Sequence, residues 1–372
     1  MRWRWRWWCV AGWSAWAAWF SSAAVQAEDT LTAGTFVRTD SDGTEVVSPN
    51  AAARFRMIDN YTYAELGYSA DVWSSASVDI RTAATGRVSE QRHELRLGLA
   101  REYADWVLRG DYRFSHEHDY VAHGGGIGIE HDFAEGNSTL GARFSLAHDT
   151  VGRAGDERFS RGLTTAGLHV VFSQVLDPET ILQVAYEGVR REGYQASPYR
   201  FVGIGGDGDC GGSAVLCVPE AHPSVRFRHA AVGRVRRALH EAWSLGGDYR
   251  FYADDWGLRA HTFMLTLNWL PDDDVTLSLQ LRSHVQGAAD FYRSRYLDAA
   301  QGPSWVSRDR ELSSMHTQRA ALLYTHSLEL STAGPPVLLT LSPGLTWLHY
   351  NAFVGLDEVV AFDMLLSAWV EL

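Results

Sequence analysis

Four arginines, Arg226, Arg228, Arg234 and Arg236, fall on one parity of a single stretch, with Ala230 and Val232 between them. Guanidinium groups in a row favour anionic solutes when they line a passage. The same parity rule groups Glu90, Arg92, Glu94 and Arg96, then Arg109, Asp111 and Arg113, with Glu65, Asp71 and Glu187 on further stretches. Charges of both signs on one face can neutralise each other in a salt-bridge lattice or act as a selectivity strip. The lattice is the favoured reading. The two are compatible, because a field across a passage also needs opposed charges.

Other groupings offer less chemistry. Asp254, Asp255 and Trp256 precede Gly257. Asp side chains accept from backbone amides and Gly admits unusual dihedrals, so a tight turn is favoured. The alternative is a carboxylate pair at an outer mouth, near Arg259 and His261, gripping a cation or ligand. His123-Gly124-Gly125-Gly126 copies the letters of an esterase oxyanion loop, but no Gly-x-Ser-x-Gly elbow accompanies it. In a strand the glycines mark a bend in the wall instead. Gly205-Gly206-Asp207-Gly208-Asp209 occurs once, whereas calcium-binding repeats work in arrays. Asp40-Ser41-Asp42-Gly43 lacks the spaced Glu of a calcium loop. No catalytic residue, metal site or cofactor is expected. Cys210 and Cys217, in a glycine-rich segment, are expected to form a small disulfide loop.

The elements that position these groups are strands. In Val275–Val285, Val275, Leu277, Leu279, Leu281 and Val285 alternate with Thr276, Ser278, Gln280, Arg282 and His284, broken only by Ser283. A period of two gives one dry face and one wet face. The pattern recurs down the chain: Arg109, Asp111 and Arg113 oppose Leu108, Tyr112 and Phe114, and Asp248 and Arg250 oppose Tyr249 and Phe251. Aromatics gather near strand ends, as at Trp73, Trp106, Trp243, Trp269, Trp347 and Trp369. Long alternating strands with aromatic girdles and charged opposite faces predict a single antiparallel transmembrane β-barrel. Short connections (Ile58–Tyr61, Ala104–Asp105, Ala134–Asn137, Pro271–Asp274) alternate with longer ones (74–88, 150–160, 193–222, 287–311, 351–358). The short set reads as periplasmic turns and the long set as outer loops, with His116–Tyr120 and Asp254–Trp256 as short outer exceptions. Counting back from the last strand gives 14. Glu45–Met57 needs a partner to keep the number even, and Leu31–Thr39 supplies it, so 16 strands are preferred.

Composition bounds the address. Arg2, Arg4 and Arg6 precede an apolar Trp- and Ala-rich core and the small residues of Val25-Gln26-Ala27. This reads as a secretory signal peptide over residues 1–27, cleaved after Ala27, with the barrel over 28–372. Cys9 lies inside it and lacks a lipoprotein context. The chain contains no lysine: all 33 basic residues are Arg, against 45 acids. Removing the three leader arginines leaves 30 against 45, a balance of −15 that disfavours nucleic acid as a partner. The expected location is a bacterial outer membrane, with its lipid and its barrel-assembly machinery as partners.

Several segments carry a resemblance. Ala70-Asp71-Val72-Trp73-Ser74-Ser75-Ala76-Ser77-Val78-Asp79-Ile80, Arg92-His93-Glu94 and Ser197-Pro198-Tyr199-Arg200-Phe201 are three of them. Tyr249-Arg250-Phe251-Tyr252-Ala253-Asp254-Asp255-Trp256-Gly257 is the strongest, followed by His261-Thr262 and Ala289-Asp290-Phe291-Tyr292. Together they resemble a bacterial family labelled only as domain of unknown function thirty-five-seventy. The resemblance implies an outer-membrane β-barrel and no settled activity. Leu372 stands where barrels of this kind usually end in Phe or Trp. The first functional expectation is a channel or transporter for small polar solutes, gated by the 193–222 and 287–311 loops. A partner-binding barrel with a closed lumen is second, and a surface hydrolase third.

Overall fold

A computed structural model describes residues 29–75, 88–206, 208, 210–297, 304–330 and 334–372. The leader expected over 1–27 and most of the 74–88 loop lie outside them. The first eight wall strands are β1 (Thr30–Asp40), β2 (Thr44–Arg56), β3 (Thr62–Ser75), β4 (Val88–Tyr103), β5 (Trp106–His116), β6 (Tyr120–Phe133), β7 (Ser138–Val151) and β8 (Arg161–Asp177). After β9 (Thr180–Gly193), a small hairpin of β10 (Phe201–Ile204) and β11 (Leu216–Pro219) stands apart from the wall. The wall resumes with β12 (Val225–His240), β13 (Trp243–Asp254), β14 (Arg259–Trp269), β15 (Val275–Gln286), β16 (Met315–Leu328), β17 (Val337–Tyr350) and β18 (Glu358–Glu371).

These strands make one closed, antiparallel barrel of sixteen, as the even-number argument prefers, and the 14-strand alternative is excluded. Leu31–Thr39 is the strand that decides it. It lies within β1, which pairs with β2 on one side and with β18 on the other, from Thr30↔Glu371 to Asp40↔Ala361. The ladder then has no free edge, the condition for crossing hydrocarbon. Pro49 and Pro343, which have no amide hydrogen to give, sit where pairing is interrupted. The β2–β3 ladder steps from Val47↔Val72 to Asn50↔Ser69, and the β16–β17 ladder from Ala321↔Gly344 to Tyr324↔Leu341.

The alternation sorts side chains as the pattern requires. Leu66, Leu97, Leu108, Leu146, Phe263, Leu279 and Leu345 are exposed on the outside. A belt of large apolar groups around every part of the wall needs lipid against it, since water would leave it without a partner. Among the described residues no helix is long and apolar enough to cross a membrane. Turns at one end are short: residues 104–105 join β4 to β5, and 178–179 join β8 to β9. At the other end the connections are longer, reaching 194–224 between β9 and β12 and 287–314 between β15 and β16.

Leu279 lies near the middle of β15 with its side chain outward. Leu279→Arg is expected to cost about 2–4 kcal/mol, the charge having to sit at hydrocarbon depth. Leu279→Phe should stay within about 1 kcal/mol. Reversible unfolding in lipid vesicles measures both; equal stabilities would remove the lipid-facing assignment of this face.

Candidate functional site

Inside the wall the sequence-predicted charges meet. Arg54 pairs with Glu65 at 3.2 Å and Arg92 with Asp71. Arg96 pairs with Glu94, which Arg113 approaches at 3.6 Å. Arg236 pairs with Asp248, and Arg226 with Asp254 at 2.5 Å. Arg319, which the sequence pattern did not single out, pairs with Asp363 at 2.6 Å. In a partly buried interior such pairs offset the cost of removing each ion from bulk water.

Glycines make some of these pairs possible. Arg143 on β7 reaches Asp111 on β5 at 2.8 Å, passing over β6. It crosses at Gly126, where an added Cβ would lie 2.4 Å from the guanidinium. Arg319 on β16 reaches Asp363 on β18 over β17 at Gly344, where a Cβ would lie 2.5 Å from Arg319. The His123-Gly124-Gly125-Gly126 run therefore clears a crossing for an ion pair. That is a different role from the bend expected of it.

The lattice does not consume every arginine. Among the described residues Arg191, Arg228, Arg234, Arg250 and Arg282 form no ion pair. Arg228 Nε donates to the Tyr252 hydroxyl at 3.3 Å, and Arg234 donates to the Gln183 side-chain oxygen at 2.5 Å. These five lie on β9, β12, β13 and β15, so positive charge is in surplus on one arc of the lumen wall. Arg109, also predicted for the lumen, pairs with no carboxylate among the described residues.

Asp254, Asp255 and Trp256 form a turn. Asp254 accepts from the backbone amides of Trp256 and Leu258 at 3.1 and 3.0 Å while holding Arg226. Asp255 accepts from the Phe227 amide at 2.9 Å. Trp256 is buried, donates its indole N–H to the Val225 carbonyl at 3.0 Å, and carries the Arg226 guanidinium over its ring. Gly257 has φ +85°, and a Cβ there would strike the Asp290 carboxylate. Arg259 and His261 lie on the outer face of the wall, so the structure does not bring them into one site with Asp254.

Above the lumen the two longest loops fold together. The β10–β11 hairpin is closed by a Cys210–Cys217 disulfide with Cα atoms 5.7 Å apart. Val202, Ile204, Tyr296 and Val306 pack into a small core between the loops. A second core joins Trp256, Ala289, Tyr292, Leu312 and Phe353. Polar ties extend the cap around the mouth. Arg310 reaches Asp42 in the β1–β2 turn at 2.6 Å, and the Tyr199 hydroxyl binds Asp119 in the β5–β6 turn and accepts from the Ala154 amide in the β7–β8 loop. The Asp290 amide donates to the Trp256 carbonyl, and the Tyr292 hydroxyl donates to the Ala352 carbonyl. Seven of the eight outer connections thus join one assembly; the β3–β4 connection lies outside the described residues.

The centre of the cap is Glu220, whose carboxylate is fully buried. It accepts from the Ser307 hydroxyl at 2.7 Å and from the Ser197 and Arg308 amides at 3.1 Å. Arg200 lies at 3.1 Å and His222 Nε2 at 3.4 Å. Burial alone would raise the Glu220 carboxyl. The His222 hydrogen bond, the Arg200 charge and the Ser307 hydroxyl outweigh it and bring it down to about 2. Glu220, His222 and Ser307 were not visible in the sequence, being up to 87 positions apart. They resemble a hydrolytic trio in type only: Ser307 has no exposed surface, so no substrate reaches its hydroxyl. Among the described residues one grouping could hold a metal ion: Glu90, Glu117 and Asp119, with one oxygen each within 4.8 Å of the others.

A family model described as Protein of unknown function (DUF3570) matches residues 42–333. No curated protein matches the chain. Among solved structures, the chain is similar to a bacterial polysaccharide outer membrane secretin at TM-score 0.53 and 8% identity, covering 94% of this chain and 99% of that one. It is also similar to CdiB from Acinetobacter baumannii, at 0.49 and 9%, covering 92% and 60%. The siderophore receptor PirA from the same organism follows at 0.46 and 12%, covering 87% and 53%. At such identities the likeness is one of fold, and the fold is that of outer-membrane barrels.

Glu220 makes the cap pH-sensitive. Its folded value lies below the ordinary 4.5, so its stabilisation is complete above pH 4.5 and is lost as pH falls toward about 2. The protection factors of the Ser197 and Arg308 amides, with the intrinsic pH dependence of exchange divided out, should fall over that window. Glu220→Gln should speed the same amides roughly ten- to hundredfold at neutral pH, the equivalent of about 1–3 kcal/mol. Unchanged protection would mean that the carboxylate does not hold the cap.

Proposed function

The chain belongs to the family described as Protein of unknown function (DUF3570), and we propose that it is an outer-membrane channel for small polar solutes with a preference for anions. The observation that carries this reading is the arginine surplus. Arg191, Arg228, Arg234, Arg250 and Arg282 face the lumen and form no ion pair among the described residues, beside a lattice in which many other charges are paired. An interior built only for rigidity gains nothing from unmatched cations, because each adds repulsion to its desolvation cost. An anion moving along that arc supplies the missing charge. The cap gates the route, since it ties loops from both sides of the mouth. A leader over residues 1–27 would deliver the chain for export.

The second reading, a structural or partner-binding barrel with a closed lumen, is favoured by the same cap. Conductance in planar bilayers separates the two. The native protein is expected to give low open probability and Glu220→Gln a higher one. Arg228→Gln with Arg250→Gln and Arg282→Gln should move the zero-current potential in a salt gradient toward cation preference. Silence from native and Glu220→Gln alike, in folded protein, favours the closed barrel.

A further inference from the structure

The outer surface of the wall differs between its two rims. The periplasmic rim carries indoles, Trp106, Trp243 and Trp269, the last two stacked at 5.6 Å. The opposite rim carries mainly imidazoles, with Trp347 stacked against His349 among them. Cross-strand neighbours His93↔His116, His123↔His148 and His316↔His349 occupy it on three hairpins. His229 and His261 occupy it on β12 and β14, on the same parity as the exposed Phe227 and Phe263. Among the described residues His131, His240 and His326 share this outward face near the short turns.

Several outer-rim rings are held by tyrosine hydroxyls at Nδ1: His93 by Tyr68 and His261 by Tyr249 at 2.8 Å, His123 by Tyr112 and His229 by Tyr186 at 2.7 Å. In the tautomer that accepts the hydroxyl proton at Nδ1, the ring carries its own proton on Nε2 as a donor. The rim therefore presents outward-facing donors at headgroup depth.

At β12–β15 this rim meets a groove. His229 and Arg259 lie opposite Ala253 from either side of β13, and His261 lies two residues further in, opposite Phe251. Arg259, two residues rimward of His261, is exposed and forms no ion pair among the described residues. Below them Gly233 and Gly247 leave the outer face bare, with nothing within 4 Å of an added Cβ. A cavity of about 810 Å³ is lined there by both glycines together with Tyr249, Phe263, Leu265 and Leu281.

We propose that this is a binding site for a phosphate-bearing lipid of the outer leaflet. Arg259, His261 and His229 grip the phosphate, and an acyl chain lies in the hollow left by Gly233 and Gly247. Charge decides the occupant: cationic and N–H donors at the rim match phosphate oxygens, and the apolar groove beneath matches a hydrocarbon chain in the one geometry a lipid combines them. The site faces the bilayer and is independent of conduction through the lumen.

Native mass spectrometry of the full-length protein in detergent tests it, with a bis-phosphorylated diglucosamine lipid, its dephosphorylated counterpart and inorganic phosphate as probes. The phosphorylated lipid is expected to bind and the dephosphorylated one to bind roughly tenfold more weakly. Arg259→Gln with His261→Phe should abolish that preference. Gly233→Leu with Gly247→Leu should weaken both lipids together. His326→Phe, at the opposite rim, should change neither. Should the rim variant not assemble, Tyr249→Phe with Tyr186→Phe tests the same donors and is expected to narrow the preference. Equal binding of both lipids to native protein, full displacement of the lipid by inorganic phosphate, or an unchanged preference in a folded rim variant would overturn the proposal.

Discussion

Everything in this molecule depends on the pairing of its first wall strand with its last. In hydrocarbon an unbonded amide or carbonyl costs several kcal/mol, so a sheet survives only if its edges meet. β1 and β18 meet over eleven residues, from Thr30↔Glu371 to Asp40↔Ala361. Closure then fixes which parity of every strand looks out and which looks in, because a slip of one residue would exchange the two faces. The charged lumen and the cap over its mouth inherit their positions from that register. Even the prolines obey it, standing where a ladder already lapses.

Within the closed wall two demands compete. The interior has to match its charges, and the anion passage proposed above would leave some unmatched. The unpaired guanidiniums gather mostly on one side of the ring, with Arg109 on β5 apart from them. Asp71, Glu94 and Asp111 are answered by arginines on β4, β5 and β7, while β9, β12, β13 and β15 keep guanidiniums that bond only neutral groups or none. Arg226 belongs to the first class and Arg228 to the second, although the sequence presents them as equivalent members of one row.

The barrel was legible in the sequence because its determinant is local. Alternation in Val275–Val285, or in Glu90–Arg96 against Leu95–Leu99, is a property of neighbouring residues, and the parity of the strands follows from short turns such as 104–105. The lumen charges were legible for the same reason. The cap was not. Its core draws on Val202, Tyr296 and Val306, and its polar centre joins Glu220 to Ser307 across a span with no periodicity to announce it. The crossing at Gly126 was hidden differently: the glycine was plain, but its use depends on Arg143 and Asp111, which flank it on neighbouring strands. The outer histidines were each visible, yet their common height emerges only when the strands are laid side by side.

The two guanidinium bridges that stride over a strand have a mechanical consequence. One spans β5 to β7 and the other β16 to β18, on nearly opposite arcs of the ring. Each acts as a short hoop fastened to staves that do not touch, resisting the shear by which a cylinder flattens into an ellipse. A tube braced in this way keeps a constant bore under lateral pressure from its surroundings. On the channel reading proposed above, any change in what it admits then has to come from its lid.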